Sequence, residues 1–220
     1  MRLIYSIATV AIFISCNQPK TNNDIVQKDT VVINSKTVLS DTDITAVHAV
    51  DTVTKDRLIV PGKSVGLSSI DEKAESIGAK LGTPDEGDAA MGKAISTWRS
   101  KTNKAHSTTI YFTTNFGDKE EAKRVQQIRI TSPYFSTKEK IAVGSSIDDV
   151  KRSFSSLIKT GFYPLPSDVK QSVNVFDDAT AGIAFEIDPS NKCVGITIHK
   201  PGEKPFETYL NFLEGYKPVN

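Results

Sequence analysis

The chain has 220 residues, of which 38% are hydrophobic and 24% charged, which is the composition of an ordinary globular protein of one or two domains. Its 27 Lys and Arg residues nearly balance its 26 Asp and Glu residues, and Arg2 lies in a stretch that we expect to be removed. The mature chain is then neutral, without the basic surface that nucleic acids or anionic membrane surfaces attract. Nucleic acid is therefore disfavoured as a partner.

The N-terminus has the pattern of a secretory signal. Arg2 precedes a mostly apolar run, residues 3–14, which is too short to cross a membrane as a helix, since that takes about 20 residues. The run ends in Phe13-Ile14-Ser15-Cys16, which resembles the lipobox of bacterial lipoproteins, although Phe13 stands where leucine is usual. The resemblance implies a signal peptide over residues 1–15 and acylation of Cys16, for example by palmitate. The other interpretation is an ordinary signal followed by a chance cysteine.

The next segment, residues 16–56, predicts a mostly disordered tether. It begins with a polar stretch, and residues 17–56 contain no Gly, Phe, Tyr or Trp. The second cysteine, Cys193, has no disulfide partner if Cys16 is acylated. Its strand-like surroundings favour a small buried residue over a reactive thiol.

One pattern occurs twice, in Val65-Gly66-Leu67-Ser68-Ser69-Ile70 and in Val143-Gly144-Ser145-Ser146-Ile147. Each copy has a strand end, a glycine turn, a serine cap and the start of an amphipathic helix. Ser69 with Glu72, and Ser146 with Asp149, have the spacing of a capping box. Apolar residues then recur at helical spacing, at Ile70, Ala74, Ile77 and Leu81 in the first copy and at Ile147, Val150, Phe154, Leu157 and Ile158 in the second.

Each helix is followed by three segments with the pattern of strands. They are 94–98, 108–114 and 125–131 after the first helix, and 173–176, 183–187 and 194–198 after the second. Residues 85–92 are interpreted as a loop and 115–121 as a hairpin tip. We predict an α+β fold of two tandem repeats, 57–133 and 134–201, that form one joined antiparallel sheet with the helices on one face. A C-terminal tail helix, 202–220, is expected to pack across that sheet.

The order of glycine turn, capped helix and antiparallel strands, in tandem, resembles the β-lactamase-inhibitor-protein-like fold. It is also similar to small outer-membrane assembly lipoproteins of the lipoprotein E type, and the whole chain resembles uncharacterised lipoproteins of Bacteroidetes type. The resemblance covers residues 57–201 and implies a binding or scaffold module at the outer membrane rather than the inner one. No functional residue of those families can be matched to a position of this chain.

No catalytic, cofactor or metal motif is complete. Gly62-Lys63-Ser64 lacks the earlier glycine of a phosphate-binding loop, because residue 57 is Arg. The Ser-x-x-Lys and Lys-Thr-Gly elements of serine acyl enzymes would both need Lys159. His48, His106 and His199 lie far apart and favour surface or strand-edge positions over metal ligation. We therefore expect no catalysis, no cofactor and no metal.

Aromatic residues are the candidates for a binding surface. Trp98 and Tyr111 lie on neighbouring predicted strands and are the predicted partner-binding residues, with Tyr134, Phe135 and Tyr163 as further candidates. The alternative is that they belong to the core or lie under the tail. The sequence predicts a lipid-anchored protein of the cell envelope, with its folded domain in the periplasm or at the cell surface, that binds an envelope protein. The alternative function is an envelope hydrolase whose site is built from loops.

Overall fold

The structure is a computed structural model that describes residues 53–117, 119–206 and 212–219. The predicted signal peptide, Cys16 and almost all of the predicted tether lie outside these residues. The described residues form two helices and thirteen strands, and the strands assemble into two sheets. This confirms the α+β class.

The elements follow one another in a simple order along the chain. They are β1 (Leu58–Val60), β2 (Ser64–Val65), β3 (Ser68–Ser69), α1 (Ala74–Leu81), β4 (Glu86–Ala90), β5 (Lys93–Arg99), β6 (Ser107–Thr114), β7 (Lys123–Ile130), β8 (Ser136–Thr137), α2 (Ile147–Ser153), β9 (Ile158–Leu165), β10 (Asp168–Asp178), β11 (Ile183–Ile187), β12 (Cys193–His199) and β13 (Lys217–Pro218). Each of the six predicted strands overlaps an observed one.

The large sheet has nine strands in the order β13-β9-β10-β11-β12-β7-β6-β5-β4, and every neighbouring pair is antiparallel. At its centre β7 pairs with β12, with Ile130 opposite Ile196 and Ile128 opposite Ile198. A small sheet has the order β3-β2-β1-β8, and its β1 and β8 are parallel.

The large sheet has apolar clusters on both faces. The face that we call the helix face carries Ile110, Ile128, Ile196 and Phe185, which pack with the buried helix residues Ile77 and Val150. All of the predicted helix-stripe residues except Ile158 pack in this cluster, but Ile70, Phe154 and Leu157 lie outside the observed helices. Ile158 is 62% exposed, because α2 ends at Ser153 and residue 158 already begins β9. Neither described helix is long and apolar enough to span a membrane.

The opposite face, which we call the tail face, is covered by the end of the chain. Phe206, Leu213, Phe212 and Tyr216 pack against strand residues that include Val173 and Val175. Of the tail helix predicted over 202–220, the described residues 202–206 and 212–219 form turns and the strand β13 instead, while 207–211 lie outside the description. The tail therefore crosses the sheet, as expected, but its described residues are not helical.

Two strands contradict the sequence interpretation, and one helix starts later than predicted. Residues 86–90 form the edge strand β4 rather than a loop, and 158–165 form β9. The helix α1 begins at Ala74 rather than Ile70, because Asp71 has φ of 64°, outside the right-handed helical region. Ser69 lies in β3 and does not cap the helix, whereas Ser146 caps α2 as predicted by accepting from the Asp149 N–H at 3.2 Å.

Candidate partner-binding cleft

Three of the aromatic residues singled out from the sequence meet at one open cleft. Trp98 at the end of β5, and Tyr134 and Phe135 in the segment after β7, line a cavity of about 580 Å³. This volume lies within the range of ligand sites in proteins. We name it the aromatic cleft; the remaining lining residues are Arg99, Ser100, Thr102, His106, Ser107, Thr108, Ser132 and Pro133.

The ring of Trp98 is held in place by both elements beside it. Its Nε1–H donates to the Gly82 carbonyl at the C-terminus of α1, at 3.0 Å, and its ring packs against the helix-face core. Trp98 pairs with Thr108 on β6, so both side chains lie on the helix face at the cleft wall. The indole is thus a fixed, half-buried surface that a partner can contact without ordering it first.

Tyr134 and Phe135 form the facing wall. The two rings meet edge to face with centroids 5.1 Å apart, and the Arg57 guanidinium lies over the Tyr134 ring at 4.7 Å. The Tyr134 hydroxyl donates to the Asp56 carboxylate at 2.8 Å, which raises the pKa of the tyrosine. Tyr134 nevertheless stays 47% exposed, so its ring is available to a partner.

The first glycine of the repeated turn supports this wall. Gly66 has φ of 53°, and a Cβ there would lie 2.6 Å from the Asp56 carbonyl oxygen and 2.9 Å from the Phe135 ring. The residue must therefore be glycine for the small sheet and Phe135 to meet. The repeated sequence pattern thus bears directly on the shape of the cleft.

The polar lining of the aromatic cleft is close to neutral. Arg99 donates to both oxygens of Glu86 at 3.1 and 2.9 Å, and these hydrogen bonds lower the pKa of Glu86. Arg99 also donates to the Lys104 carbonyl at 3.2 Å. His106 is bound to the Asn103 side chain at 3.1 Å. The lining residues include hydroxyls but no carboxylate and no cysteine. Such a surface favours contact with apolar and neutral polar groups over charged ligands.

Tyr111 is not part of this site. Its partner on β5 is Ile95, three residues before Trp98, so Tyr111 lies on the tail face while Trp98 lies on the helix face. It is only 3% exposed, because Phe212 of the tail covers it edge to face at 6.4 Å. Burial raises the pKa of its hydroxyl. The predicted pairing of Trp98 with Tyr111 in one surface is therefore wrong, and the alternative that the tail covers Tyr111 holds.

Tyr163 is also buried, in a polar network on the tail face. Its hydroxyl donates to Glu186 at 2.7 Å, and Arg129 donates to both oxygens of the same carboxylate. Burial opposes the charged form of Arg129, but the adjacent carboxylate outweighs it and raises the pKa of the guanidinium. Burial and the same carboxylate raise the pKa of Tyr163. These three hydrogen bonds join side chains of the chain itself, which is typical of structural polar groups.

A second buried polar pair joins His199 to Asp177. His199 is fully buried, with Nε2 2.9 Å from Asp177 Oδ1 and Nδ1 2.9 Å from the Lys200 carbonyl oxygen. The expectation of a surface or strand-edge histidine is thus wrong for His199, and His48 lies outside the described residues. Within the described part of the chain, no three His, Cys, Asp or Glu side chains converge as metal ligands would.

The cleft could be predicted only in part. The sequence identifies each aromatic residue as a candidate, but only long-range pairing brings these residues together. The parallel pairing of β8 with β1 places residues 134–135 beside Arg57. Strand alternation places Tyr111 on the face away from Ile110 and Phe112, but no local pattern shows that Phe212 covers it.

Comparison with known proteins identifies no family for this chain. No family model and no curated protein matches the chain. Among solved structures, the chain is similar to YjgB, a DUF4309 family protein from Bacillus subtilis, with 10% sequence identity and a TM-score of 0.40. The similarity covers 63% of this chain and 88% of that one. A likeness at this level indicates neither a family nor a function.

Proposed function

We propose that the protein is a lipid-anchored binding module of the cell envelope, which contacts an envelope protein through the aromatic cleft and performs no catalysis. The observation that carries this proposal is the convergence of Trp98, Tyr134 and Phe135 on one open cleft of near-neutral lining. Rigid, partly exposed Trp and Tyr rings supply much of the binding energy in protein interfaces.

The anchor is part of the same proposal. The lipobox-like end of the leader at Cys16 supports acylation, and a neutral mature chain then reaches the membrane through acyl chains rather than through surface charge. The outer membrane is proposed over the inner one on the resemblance alone. If Cys16 carries the anchor, Cys16→Ser releases the protein from the membrane fraction, and continued sedimentation with membranes counts against it.

We also propose that the folded part is a tandem repeat. The sequence matches Ile128-Arg129-Ile130 to Ile196-Thr197-Ile198, and at the centre of the sheet Ile128 pairs with Ile198 while Ile130 pairs with Ile196. Such reciprocal pairing is what a two-fold relation between equivalent strands produces. On each side a helix precedes four antiparallel strands, which also supports the repeat.

Site-directed photocrosslinking in cells tests the binding proposal. A photoreactive residue at Thr102, on the cleft, is expected to give a discrete adduct, whereas one at Lys170, on the opposite half of the sheet, gives none. Trp98→Ala together with Tyr134→Ala is expected to weaken the Thr102 adduct at least about tenfold, because both are candidate hot spots. Equal adducts from both positions, or an adduct that survives the double variant, would contradict the proposal.

A further inference from the structure

The two edges of the large sheet differ in whether their backbone groups are paired. At one edge, β9 is closed by β13, with Lys217 opposite Phe162 and Pro218 opposite Gly161. At the other edge, β4 pairs with β5 alone among the described strands, and all of its residues are exposed. An open edge carries backbone donors and acceptors that can pair with a further strand.

The register of the hairpin identifies the backbone groups that point outward. Met91 and Gly92 form a two-residue turn with φ of 51° and 75°, and Ala90 pairs with Lys93. In such a hairpin the pair next to the turn is hydrogen-bonded, and hydrogen-bonded pairs then alternate along the strands. Ala90, Asp88 and Glu86 therefore bond to β5, while the N–H and C=O groups of Gly87 and Ala89 point to the open side.

A groove runs beside this edge on the helix face. It has a volume of about 380 Å³ and lies between α1, through Ala74 and Gly78, and β4, through Gly87 and Ala89. Phe112 and Trp98 also line it. A residue placed directly opposite Gly87 or Ala89 on an added strand would direct its side chain to the same face, and so into the groove.

The other face of the edge carries the acidic side chains of Glu86 and Asp88. Asp88 has its side chain on the tail face, and among the described residues it takes part in no ion pair, whereas Glu86 is bound to Arg99. A residue of an added strand between the two groove-directed positions would lie opposite Asp88. A lysine or arginine is favoured there, and an acidic residue is disfavoured.

The same charges disfavour a second copy of this chain as the occupant. If two β4 strands paired with Gly87 opposite Ala89, the two Asp88 side chains would face each other where Cα atoms are about 4.5 Å apart. Shifting the register so that Gly87 faces Gly87 places Asp88 opposite Glu86. In these two registers acidic side chains select against self-pairing, whereas a lysine or arginine opposite Asp88 is attracted.

We infer that the β4 edge and its groove bind an extended segment of a partner protein, in which a basic residue lies between two small apolar residues. This mode adds a strand to the sheet, so that backbone hydrogen bonds give affinity and alternate side chains give specificity. The inference rests on the proposed function, since it names the chemistry of a partner segment, but it uses a surface distinct from the Tyr134 side of the aromatic cleft.

The test uses the full chain in detergent micelles with two synthetic peptides, one alternating lysine with valine and one alternating glutamate with valine. Hydrogen exchange is expected to slow at the Gly87 and Ala89 amides with the lysine peptide only. Asp88→Lys is expected to weaken binding of the lysine peptide about fivefold and to reverse the preference. Ala89→Pro removes one outward N–H and is expected to abolish binding, while Ala89→Ser retains it.

Three other outcomes would overturn the inference. Equal binding of both peptides shows that charge does not select the strand, and a dimer that Ala89→Pro dissociates shows that a second copy occupies the edge. Protection of both amides without peptide shows that another segment of this chain fills it. If circular dichroism shows that Ala89→Pro does not fold, the Asp88→Lys variant provides the test instead, because the Asp88 side chain is exposed and its replacement should not disturb the fold. Tyr134→Ala should leave peptide binding unchanged, so failure of the cleft proposal is distinguishable from failure of this one.

Discussion

Arg129 reaches Glu186 across an intervening strand, donating to its two carboxylate oxygens at 2.7 and 2.6 Å. Arg129 lies on β7 and Glu186 on β11, with β12 between them. The residue of β12 opposite Glu186 is Gly195, where a Cβ would lie 2.6 Å from the carboxylate. The missing side chain at residue 195 thus makes room for the ion pair.

Replacing Gly195 should therefore weaken the fold. Gly195→Ala is expected to lower the free energy of unfolding by about 1–3 kcal/mol, because the added methyl group displaces a carboxylate that is held by Arg129 and Tyr163. Urea denaturation followed by circular dichroism measures the change. In a Glu186→Ala background the methyl group has space, so Gly195→Ala should lower the free energy of unfolding much less. An equal loss in both backgrounds would show that the effect comes from the backbone at residue 195 and not from the carboxylate.

Removing one member of the ion pair should cost more than removing both. Arg129→Met leaves the Glu186 carboxylate, which is 1% exposed, without its cation, and we expect a loss of about 3–5 kcal/mol in the free energy of unfolding. Arg129→Met with Glu186→Leu removes both charges and should be closer to the parent protein. A double variant that is destabilised by the sum of the single changes would show that the two side chains are not coupled.

The unpredicted edge strand β4 differs in composition from the strands that the sequence predicted. Segments such as 108–114 and 183–187 are rich in β-branched and aromatic residues, because they line a core. The edge strand β4, with sequence Glu-Gly-Asp-Ala-Ala, has none of these residues and is fixed by its hairpin turn and its pairing with β5. Composition identifies a buried strand more readily than an exposed edge.

The two copies of the glycine-serine pattern have different structures despite similar sequences. In the second, Ser146 caps α2 directly; in the first, the Glu72 carboxylate accepts from the Ser69 N–H at 3.1 Å while Ser69 remains in β3. The Asp71 N–H donates to the Val125 carbonyl at 2.9 Å and the Val125 N–H donates to the Glu72 carbonyl at 2.9 Å, so tertiary pairing with β7 overrides the local capping signal. The backbone contacts with Val125 that set the start of α1 cannot be read from the glycine-serine sequence pattern.

This difference predicts unequal effects of two serine substitutions. Ser146→Ala removes a cap that accepts from Asp149 N–H and is expected to destabilise the protein by about 1 kcal/mol. Ser69→Ala leaves the backbone bond to Glu72 in place and should cost clearly less. Thermal unfolding of the two variants measures the difference. Equal losses of stability would contradict the assignment that Ser146 caps a helix and Ser69 does not.

Cys193 should be unreactive in the folded protein. It is 1% exposed, and burial, aided by the nearby Glu186 charge, raises the pKa of its thiol to about 12. At neutral pH it is therefore the neutral thiol, which alkylates slowly. In a Cys16→Ser chain, a maleimide is expected to label Cys193 only after denaturation; rapid labelling of the native protein would contradict its burial.

The same shift fixes the direction of a pH effect. Because the pKa of Cys193 is higher in the folded state than its ordinary value of 9.0, the unfolded state loses the proton first as pH rises. Its contribution to stability is complete below pH 9 and declines between about pH 9 and pH 12. Cys193→Ala should remove this part of the alkaline decline, as measured by urea midpoints across that range.

Gly78 offers a substitution that separates stability from the proposed strand-binding groove. It lies inside α1, and a Cβ there would meet no atom within 4 Å. Gly78→Ala is expected to raise the free energy of unfolding by about 0.5–1 kcal/mol, because alanine loses less backbone entropy in a helix than glycine. Gly78→Leu should project a larger side chain into the groove and weaken binding of the lysine peptide without unfolding the protein. If Gly78→Leu folds and binds as well as Gly78→Ala, the groove beside α1 does not receive the side chains of the added strand.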